Sequence, residues 1–333
     1  MMTVVAFLRA ILSSSVRYTF ILSTVTILSF VSYSNPILYA HTFSENEDAL
    51  FLTMINKIKA ETQLVGSDFS TNIQEAQQHA KAAEGLFTQE DPVVNTTWTS
   101  EISERNPRVV TDLLHSLDDL KTTIAIAPNS NPDSSSVQSK VTNIGNLLDE
   151  AVSVRISKDV LDNPKTQALM LANLGNEIYN NYGNALGLPP STVANMGGMS
   201  MSGMTPNKGS SMNAKMSSGN GMSGMNAVNE PSAMSQPSTT IKNLTAYQTA
   251  QSMATVAQEV FEKNLKPMAS ANTTNSNSNI ANYLDQLKNA VNNKSPFMNV
   301  MELVHVKLHP TLISAYNLRL SMPGMSMPSK GSS

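Results

Sequence analysis

Apolar residues recur every three or four positions along most of the chain after residue 44, which is the spacing of one buried face of an α-helix. The first such segment runs to about residue 65, and its apolar positions are Phe51, Ile55, Ile58, Thr62 and Val65. SENE at Ser44–Glu47 has the form of a capping box and predicts where this helix begins. The pattern therefore predicts an amphipathic helix that begins at this capping box and ends near residue 65.

The same period predicts further helices and no strand. Asn106–Pro107 and Asn163–Pro164 each supply a capping residue followed by a proline suited to the first helical turn. Pro310 is expected to kink or break the last helix, because it lacks an amide donor and clashes with the preceding turn. The predicted segments are about 72–87, 107–127, 137–161, 165–186, 241–266, 279–293 and 296–320. The fold class predicted is an all-α bundle of about eight helices.

The helical pattern stops at residues 187–239, where Gly, Ser, Asn and Pro dominate and nine methionines lie between Met196 and Met234. This composition predicts a disordered Met-rich linker. A Met-rich tail at 321–333 follows the last helix. The domain organisation predicted is therefore a segment 1–40, helical regions at 41–186 and 240–320 that pack on each other, the linker and the tail. If successive helices alternate in direction, the tail and the residues after 40 lie at one end and the linker at the other.

Composition narrows the function classes. Aromatic residues make up only 5% of the chain and charged residues 14%, and the net charge of −3 leaves no basic patch for nucleic acid. The absence of cysteine excludes disulfides, thiolate metal sites and thiol catalysis. Phosphate-binding loops, zinc-protease helices and hydrolase nucleophile motifs are also missing. The sequence predicts no catalytic residue and no enzyme.

Residues 1–40 have the layout of an export signal. Arg9 and Arg17 precede an uncharged run from Tyr18 to Ala40, with Pro36 and a small residue at the cleavage position. Its apolar part spans about 24 Å as a helix, which is short for a membrane core of about 30 Å. An uncleaved anchor that associates with the membrane through residues 18–40 is the alternative. Either arrangement places the remaining chain outside the cytoplasmic membrane.

The methionines carry the most distinctive chemistry. MGGMSM at Met196–Met201 and MPGMSM at Met322–Met327 share the spacing Met-x-Gly-Met-Ser-Met. Methionine sulfur is a soft neutral donor that suits Cu(I), and a Gly/Ser backbone lets nearby sulfurs wrap one ion. The candidate ligands are Met196, Met199, Met201, Met204, Met212, Met216, Met222, Met225, Met322, Met325 and Met327.

These segments resemble the Met-rich segments of Ctr-type copper transporters and of periplasmic copper-resistance proteins. The resemblance concerns ligand type and spacing over about 45 residues, and not the fold. Those families often mix histidine into such stretches, whereas this chain has none there, which favours Cu(I) over Cu(II). The alternative is a low-complexity spacer or an oxidation-scavenging tract.

Cleavage after Ala40 would make His41 the first residue, whose amine and imidazole could bind one Cu(II) ion. Such a terminus is similar to the histidine brace of copper monooxygenases and some copper chaperones. The alternative is that cleavage leaves a histidine by coincidence.

A last group, Met298, Met301, Glu302, His305 and His309, recurs at three- and four-residue steps and is predicted to share one helix face. The last four are candidate metal ligands. His305 interrupts an apolar stripe and is expected to point inward, where a structural histidine bonded to a carbonyl or an Asn is the alternative. His309 is alternatively expected to cap or solvate the kink at Pro310.

Glu302-x-x-His305 also matches the Glu-x-x-His element of ferritin-like di-iron bundles. Asp112-x-x-His115 would be a second copy with the wrong carboxylate, and the bridging carboxylates of that family have no clear counterpart. His79 and Glu75 are predicted to be a solvated pair one turn apart.

The layout of the export signal, HTFSENEDALFL, ISERNPRVVTDLL and LVHVKLHPTLISAYNL is similar to that of secreted helical proteins of ammonia-oxidising archaea. We expect an exported helical copper-binding protein, without catalysis of its own, that captures, buffers or delivers Cu(I) to an extracytoplasmic copper enzyme or transporter. The alternatives are a cell-surface helical interaction protein with a Met-rich spacer, and a di-metal bundle.

Overall fold

The computed structural model describes residues 42–43, 47–89, 97–130, 133–199, 239–270, 273–318 and 320–321. The N-terminal helices are α1 (Glu47–Asp68), α2 (Ile73–Phe87), α3 (Trp98–Arg105), α4 (Pro107–Ser130), α5 (Ser134–Arg155), α6 (Lys158–Leu161), α7 (Pro164–Ala185) and α8 (Pro190–Met199). The C-terminal helices are α9 (Leu244–Val260), α10 (Thr274–Asn292), α11 (Phe297–Met301) and α12 (His309–Tyr316). A first π-helix (Phe261–Leu265), a 3₁₀ turn (Lys266–Met268) and a second π-helix (Glu302–Leu308) complete the helical segments.

The prediction of an all-α bundle is confirmed. The apolar stripe predicted in the first helix is fully buried in α1, and Leu113, Leu117 and Leu120 of α4 are buried likewise. Asn163 caps α7 as expected, because its side chain accepts a hydrogen bond from the Lys165 amide. The capping box at Ser44 lies outside the described residues, and α1 begins at Glu47.

The structure has two helices that the periodicity did not predict. The helix α3 is a short element capped by Thr97, and its Trp98 and Ile102 are buried. The helix α8 lies inside the segment predicted to be a disordered linker, so the prediction for residues 190–199 is wrong. Val193 of α8 is buried against α7, and this packing outweighs the poor helix propensity of the glycines. Residues 200–238 and 322–333 lie outside the described residues.

The helix α7 is the centre of the bundle. Every residue from Thr166 to Tyr179 is buried, so this helix has no solvent-facing side over that length. It packs against α1, α9 and α12 and against both π-helices. A helix covered on all sides is expected to be the core element of its domain.

Both π-helices precede a proline. Lys266 N–H bonds the carbonyl of Phe261 just before Pro267, and His309 N–H bonds the carbonyl of Val304 just before Pro310. Each bond spans five residues, so one extra residue is accommodated where the proline would interrupt an α-helix. Pro310 does not break this helix, since the chain stays helical from Phe297 to Tyr316, and the proline is accommodated by the change from π-helix to α-helix.

The two ends of the described chain meet. Thr42–Phe43 (β1) pairs with Leu320–Ser321 (β2) as a two-residue antiparallel ladder, Thr42 opposite Ser321, where the sequence predicted no strand. Residues that lead into and out of the Met-rich segment instead converge near the end of α7, where the amides of Lys242 and Asn243 both donate to the carbonyl of Ala185.

These two junctions lie at opposite ends of the bundle. Phe297 contacts Gly183 near the end of α7, whereas His309 contacts Ala172 more than two turns earlier. The chain from α11 to α12 therefore runs antiparallel to α7, and β2 follows at the end away from Ala185. This arrangement agrees with the alternating directions expected from the sequence.

Arg155 joins three helices of the bundle through one network of ion pairs. Its guanidinium bonds three carboxylates, Glu47 at 2.5 Å, Asp48 at 2.9 Å and Glu101 at 2.7 Å. It also lies 4.5 Å from the ring centroid of Phe51. One buried cation thus ties the starts of α1 and α3 to the end of α5.

We expect Arg155→Ala to lower the free energy of unfolding by about 3 kcal/mol, because it leaves three carboxylates facing one another without a cation. Urea denaturation followed by circular dichroism measures this. Arg108→Ala is the matched control. Arg108 is exposed and forms an ion pair with Asp112, four residues on, so its loss should change stability by less than about 0.5 kcal/mol. Equal effects of the two substitutions would contradict the role given to Arg155.

Candidate functional site

A cluster of aromatic and histidine side chains fills the interface between α7 and the second π-helix. The ring of His305 lies edge-on to Tyr179 with centroids 4.6 Å apart, and edge-on to His309 with centroids 5.1 Å apart. Phe297 stacks on the other side of Tyr179 at 4.8 Å. His305 and His309 are both buried, so the prediction that His305 points inward is confirmed.

A glycine in α7 makes this close approach possible. A Cβ at Gly175 would lie 3.3 Å from Nε2 of His309 and 3.4 Å from a methyl group of Leu308. Any side chain at this position would compete with the imidazole for the same space. Gly175 is therefore retained for close packing and not for an unusual backbone angle.

His309 is held by the backbone of α7. Its Nε2 lies 3.1 Å from the carbonyl oxygen of Ala172, so Nε2 carries a proton and donates it. The expectation that His309 caps or solvates the kink at Pro310 is wrong, because the side chain is buried. His309 instead matches the structural alternative given for His305, which was a buried histidine bonded to one carbonyl.

The remaining candidates on this segment do not join the cluster. Glu302 is 54% exposed and pairs with Lys307 at 3.0 Å, Met298 is exposed and Met301 is half-buried. The prediction that these residues share one face with His305 and His309 is wrong. A π-helix has more residues per turn than an α-helix, so it rotates the residues after Glu302 away from the face predicted at α-helical spacing.

This geometry separates the two parts of the Glu-x-x-His element, since His305 points inward and Glu302 points to solvent. Asp112 pairs with Arg108, and His115 is exposed. Within the part of the chain that the structure describes, no group of three or more His, Asp or Glu side chains is placed to hold a metal ion. A di-metal centre of the ferritin type therefore lacks its inward carboxylate at Glu302.

Only the start of the first methionine segment belongs to the described residues. Met196 of α8 is half-buried against the core, and Met199 is the last residue of that helix. Tyr179 O–H donates to the carbonyl of Val193 at 2.7 Å, one turn before Met196. Tyr179 therefore anchors α8 and packs against His305 at the same time. The other predicted ligands lie outside the described residues: His41, Met201, Met204, Met212, Met216, Met222, Met225, Met322, Met325 and Met327.

A second buried polar cluster was missed by the sequence reasoning. His79 is fully buried between Glu61 and Gln248, so the prediction of a solvated pair with Glu75 is wrong. The sequence did contain a signal for this burial, because His79 lies on the apolar stripe formed by the alanines of α2. Those alanines are Ala76, Ala80 and Ala83.

Comparison with known proteins identifies no relative. No protein family model, no curated protein and no solved structure matches this chain. Among the described residues, no helix is both long and apolar enough to cross a membrane, and residues 18–40 lie outside them.

The contact between α7 and α8 can be tested at Gly183. A Cβ there would lie 2.6 Å from Val193 and 3.1 Å from Phe297, which are stiff side chains in packed helices. We expect Gly183→Ala to lower the free energy of unfolding by about 1–3 kcal/mol. Thermal and urea denaturation measure it.

Gly145→Ala is the control for that prediction. Gly145 is also helical, but nothing lies within 4 Å of the added Cβ, so alanine should stabilise the protein by up to about 1 kcal/mol. If both alanine variants gain stability alike, the packing of Val193 onto α7 is not as described.

Proposed function

We propose that this chain is an exported, all-α copper-binding protein without catalysis of its own. The Met-rich segments capture Cu(I), and the helical bundle carries them. Its role is to store or buffer Cu(I), or to deliver it to an extracytoplasmic copper enzyme or transporter. The observation that carries the proposal is the repeated spacing Met-x-Gly-Met-Ser-Met in two Gly-rich segments.

The positions where the two segments leave the bundle support separate copper sites. The first segment starts in α8 and its far side returns to Ala185 at the end of α7. The second starts directly after Ser321 of β2, at the opposite end. The attachment points are separated by most of the length of α7, about 30 Å, and we propose that each segment binds its own Cu(I).

The strand pair adds a nitrogen donor to the second site. Thr42 pairs with Ser321, and along the chain His41 precedes Thr42 while Met322 follows Ser321. Each of these two residues is the chain neighbour of one member of the pair, and we propose that His41 and the methionine tail contribute to one copper site. A site with imidazole and thioether donors suits copper in either oxidation state.

The buried histidine pair is a third candidate in the body of the protein. The hydrogen bond from Nε2 of His309 to Ala172 fixes the tautomer of this histidine, as a carbonyl commonly does for metal-binding histidines. Copper bound here would link the second π-helix to α7.

The copper proposal is tested by anaerobic titration with Cu(I) against a competing chelator. One variant replaces by serine Met199, Met201, Met204, Met212, Met216, Met222 and Met225, and a second replaces Met322, Met325 and Met327. Met196 is kept because it packs against the core. We expect each variant to lose its own share of bound Cu(I), with affinity at the altered site reduced at least about tenfold.

The matched control is Met298→Ser, which removes an exposed methionine of the helical body and should leave Cu(I) binding unchanged. Leucine in place of the methionines of the two Met-rich segments should also abolish Cu(I) binding, since leucine keeps the apolar bulk but lacks the sulfur. Equal Cu(I) uptake by wild type and the combined serine variant would refute the proposal. That result would favour the alternative in which the Met-rich segments are a spacer, because a spacer tolerates both leucine and serine.

Export is tested separately by the intact mass of protein recovered outside the cytoplasmic membrane of cells that express the full sequence. We expect a chain that begins at His41, because a small residue at position 40 and Pro36 before it mark the cleavage site. Variant Ala40→Leu should slow the processing. A mass that retains residues 1–40 would mean a tethered protein whose His41 amine is not available to copper.

A further inference from the structure

The buried residues around His79 connect the parts of the bundle on either side of residues 200–238. His79 belongs to α2, Glu61 and Asp68 belong to α1, and Gln248 and Thr249 belong to α9. Thr245 of α9 also donates a hydrogen bond to Glu75 of α2. The packing of α9 on α1 and α2 is therefore accompanied by a set of polar bonds, all buried or half-buried.

The two ring nitrogens of His79 both face acceptor oxygens. Nδ1 lies 2.6 Å from Oε2 of Glu61, and Nε2 lies 3.2 Å from Oε1 of Gln248. A neutral imidazole has only one N–H group, whereas an imidazolium has two. The two contacts together require that both nitrogens carry a proton.

The orientation of the Gln248 amide is fixed independently of His79. Its Nε2 donates to Oδ2 of Asp68 at 2.8 Å, which directs the amide oxygen toward the imidazole. Reversing the amide would place its nitrogen against His79 and its oxygen against a carboxylate. The charged form of Asp68 therefore favours the orientation in which His79 must donate.

The surrounding charges favour a cation at His79. Glu61 accepts from His79 and, at its other oxygen, from Thr249 at 2.9 Å, which satisfies an ionised carboxylate. Asp68 adds a second negative charge 3.7 Å from Nε2. Lys57 pairs with Glu177 of α7 at 2.6 Å, so it is already neutralised. Among the described residues that enclose His79, the only ionisable groups facing it directly are those two carboxylates.

We infer that a positively charged His79 acts as a clasp inside the bundle, which holds α9 onto α1 and α2, and that removing its proton weakens this junction. In the neutral form one ring nitrogen would face an acceptor oxygen without a proton between them. A buried polar mismatch of this kind is costly because no water can replace the lost bond. The clasp is then a pH-dependent element of the fold.

The direction of the pH effect follows from the pKa of each group. Burial opposes the charge on His79, but the hydrogen bond and charge of Glu61, the Gln248 oxygen and the charge of Asp68 outweigh it, so the pKa of His79 is raised above 6.5. Its stabilising contribution is therefore fully present below pH 6.5 and is lost as the pH rises through the raised value. Burial also raises the pKa of Asp68, against the charge of His79, and this contribution has the same sign.

The first measurement is nitrogen NMR of the histidine side chains in the full-length native protein, titrated from pH 5 to pH 9. The signal of His79 is assigned by its loss in the spectrum of His79→Gln and by its change in Glu61→Gln. We expect both ring nitrogens to show the shifts of protonated imidazolium, up to a pH above 6.5. An unprotonated ring nitrogen below pH 6.5 would overturn the inference, because the imidazole would then be neutral where the clasp requires its charge.

The second measurement is urea denaturation of wild type and His79→Gln between pH 5 and pH 9. Above pH 6.5 the unfolding equilibrium constant of the wild type should rise, relative to that of the variant, by up to about tenfold per pH unit, as expected for one proton. His115→Gln is the control, since His115 is exposed on α4, and it should keep the wild-type dependence. Parallel profiles for wild type and His79→Gln would refute the clasp. Should His79→Gln fail to fold, the spectrum of Glu61→Gln and the wild-type titration still decide the matter.

Discussion

The constraint on which the bundle depends is the complete burial of α7. From Thr166 to Tyr179 the helix has no exposed side, yet it includes Gln167, Asn173, Asn176 and Glu177. Buried polar groups need hydrogen-bond or ion-pair partners within the protein. The helices around α7 must therefore place such partners at fixed positions along its axis. Lys57 pairs with Glu177, and Gln167 donates to the carbonyl of Leu161 and accepts from Asn264. These bonds set the position of α1 and of the first π-helix along the central helix.

The rest of the interior follows the same rule. Gly175 brings the second π-helix close enough for His309 to reach a backbone carbonyl of α7, and Tyr179 links α8 to the histidine pair. His79, which is bonded to Glu61 of α1, connects α2 to α9. Contacts of this type contribute little net free energy compared with apolar packing, but a mismatch is costly. They therefore specify one register for helices whose apolar stripes alone would tolerate several.

This rigid interior has a consequence for the proposed copper function. The two methionine segments are attached at opposite ends of the bundle, so the copper sites proposed for them start from separate points. The clasp at His79 acts on the junction between the helices before and after the first segment. The copper proposal and the clasp rest on different residues, so each can fail without the other.

The sequence by itself determined the helical class, most helix positions and the chemistry of the methionine segments. Those features depend on local period, capping residues and ligand type, and the stripe of α1 and the cap at Asn163 illustrate them. It could not place α8, whose poor propensity is overcome by Val193 packing beside Gly183. It also misassigned Glu302, because the change from α- to π-helical turns before Pro310 is not visible in an α-helical period.

Tertiary structure alone decided which partners the buried polar residues meet. His79 and His115 are both histidines on amphipathic helices, but only the first meets Glu61 and Gln248 from other elements. Such a group is buried only if distant residues supply its partners, and sequence spacing carries no information on residues 18 and 169 positions away. The pairing of β1 with β2 is likewise a contact between the two ends of the chain. Local patterns fix what each segment can form, and long-range complementarity decides what it packs against.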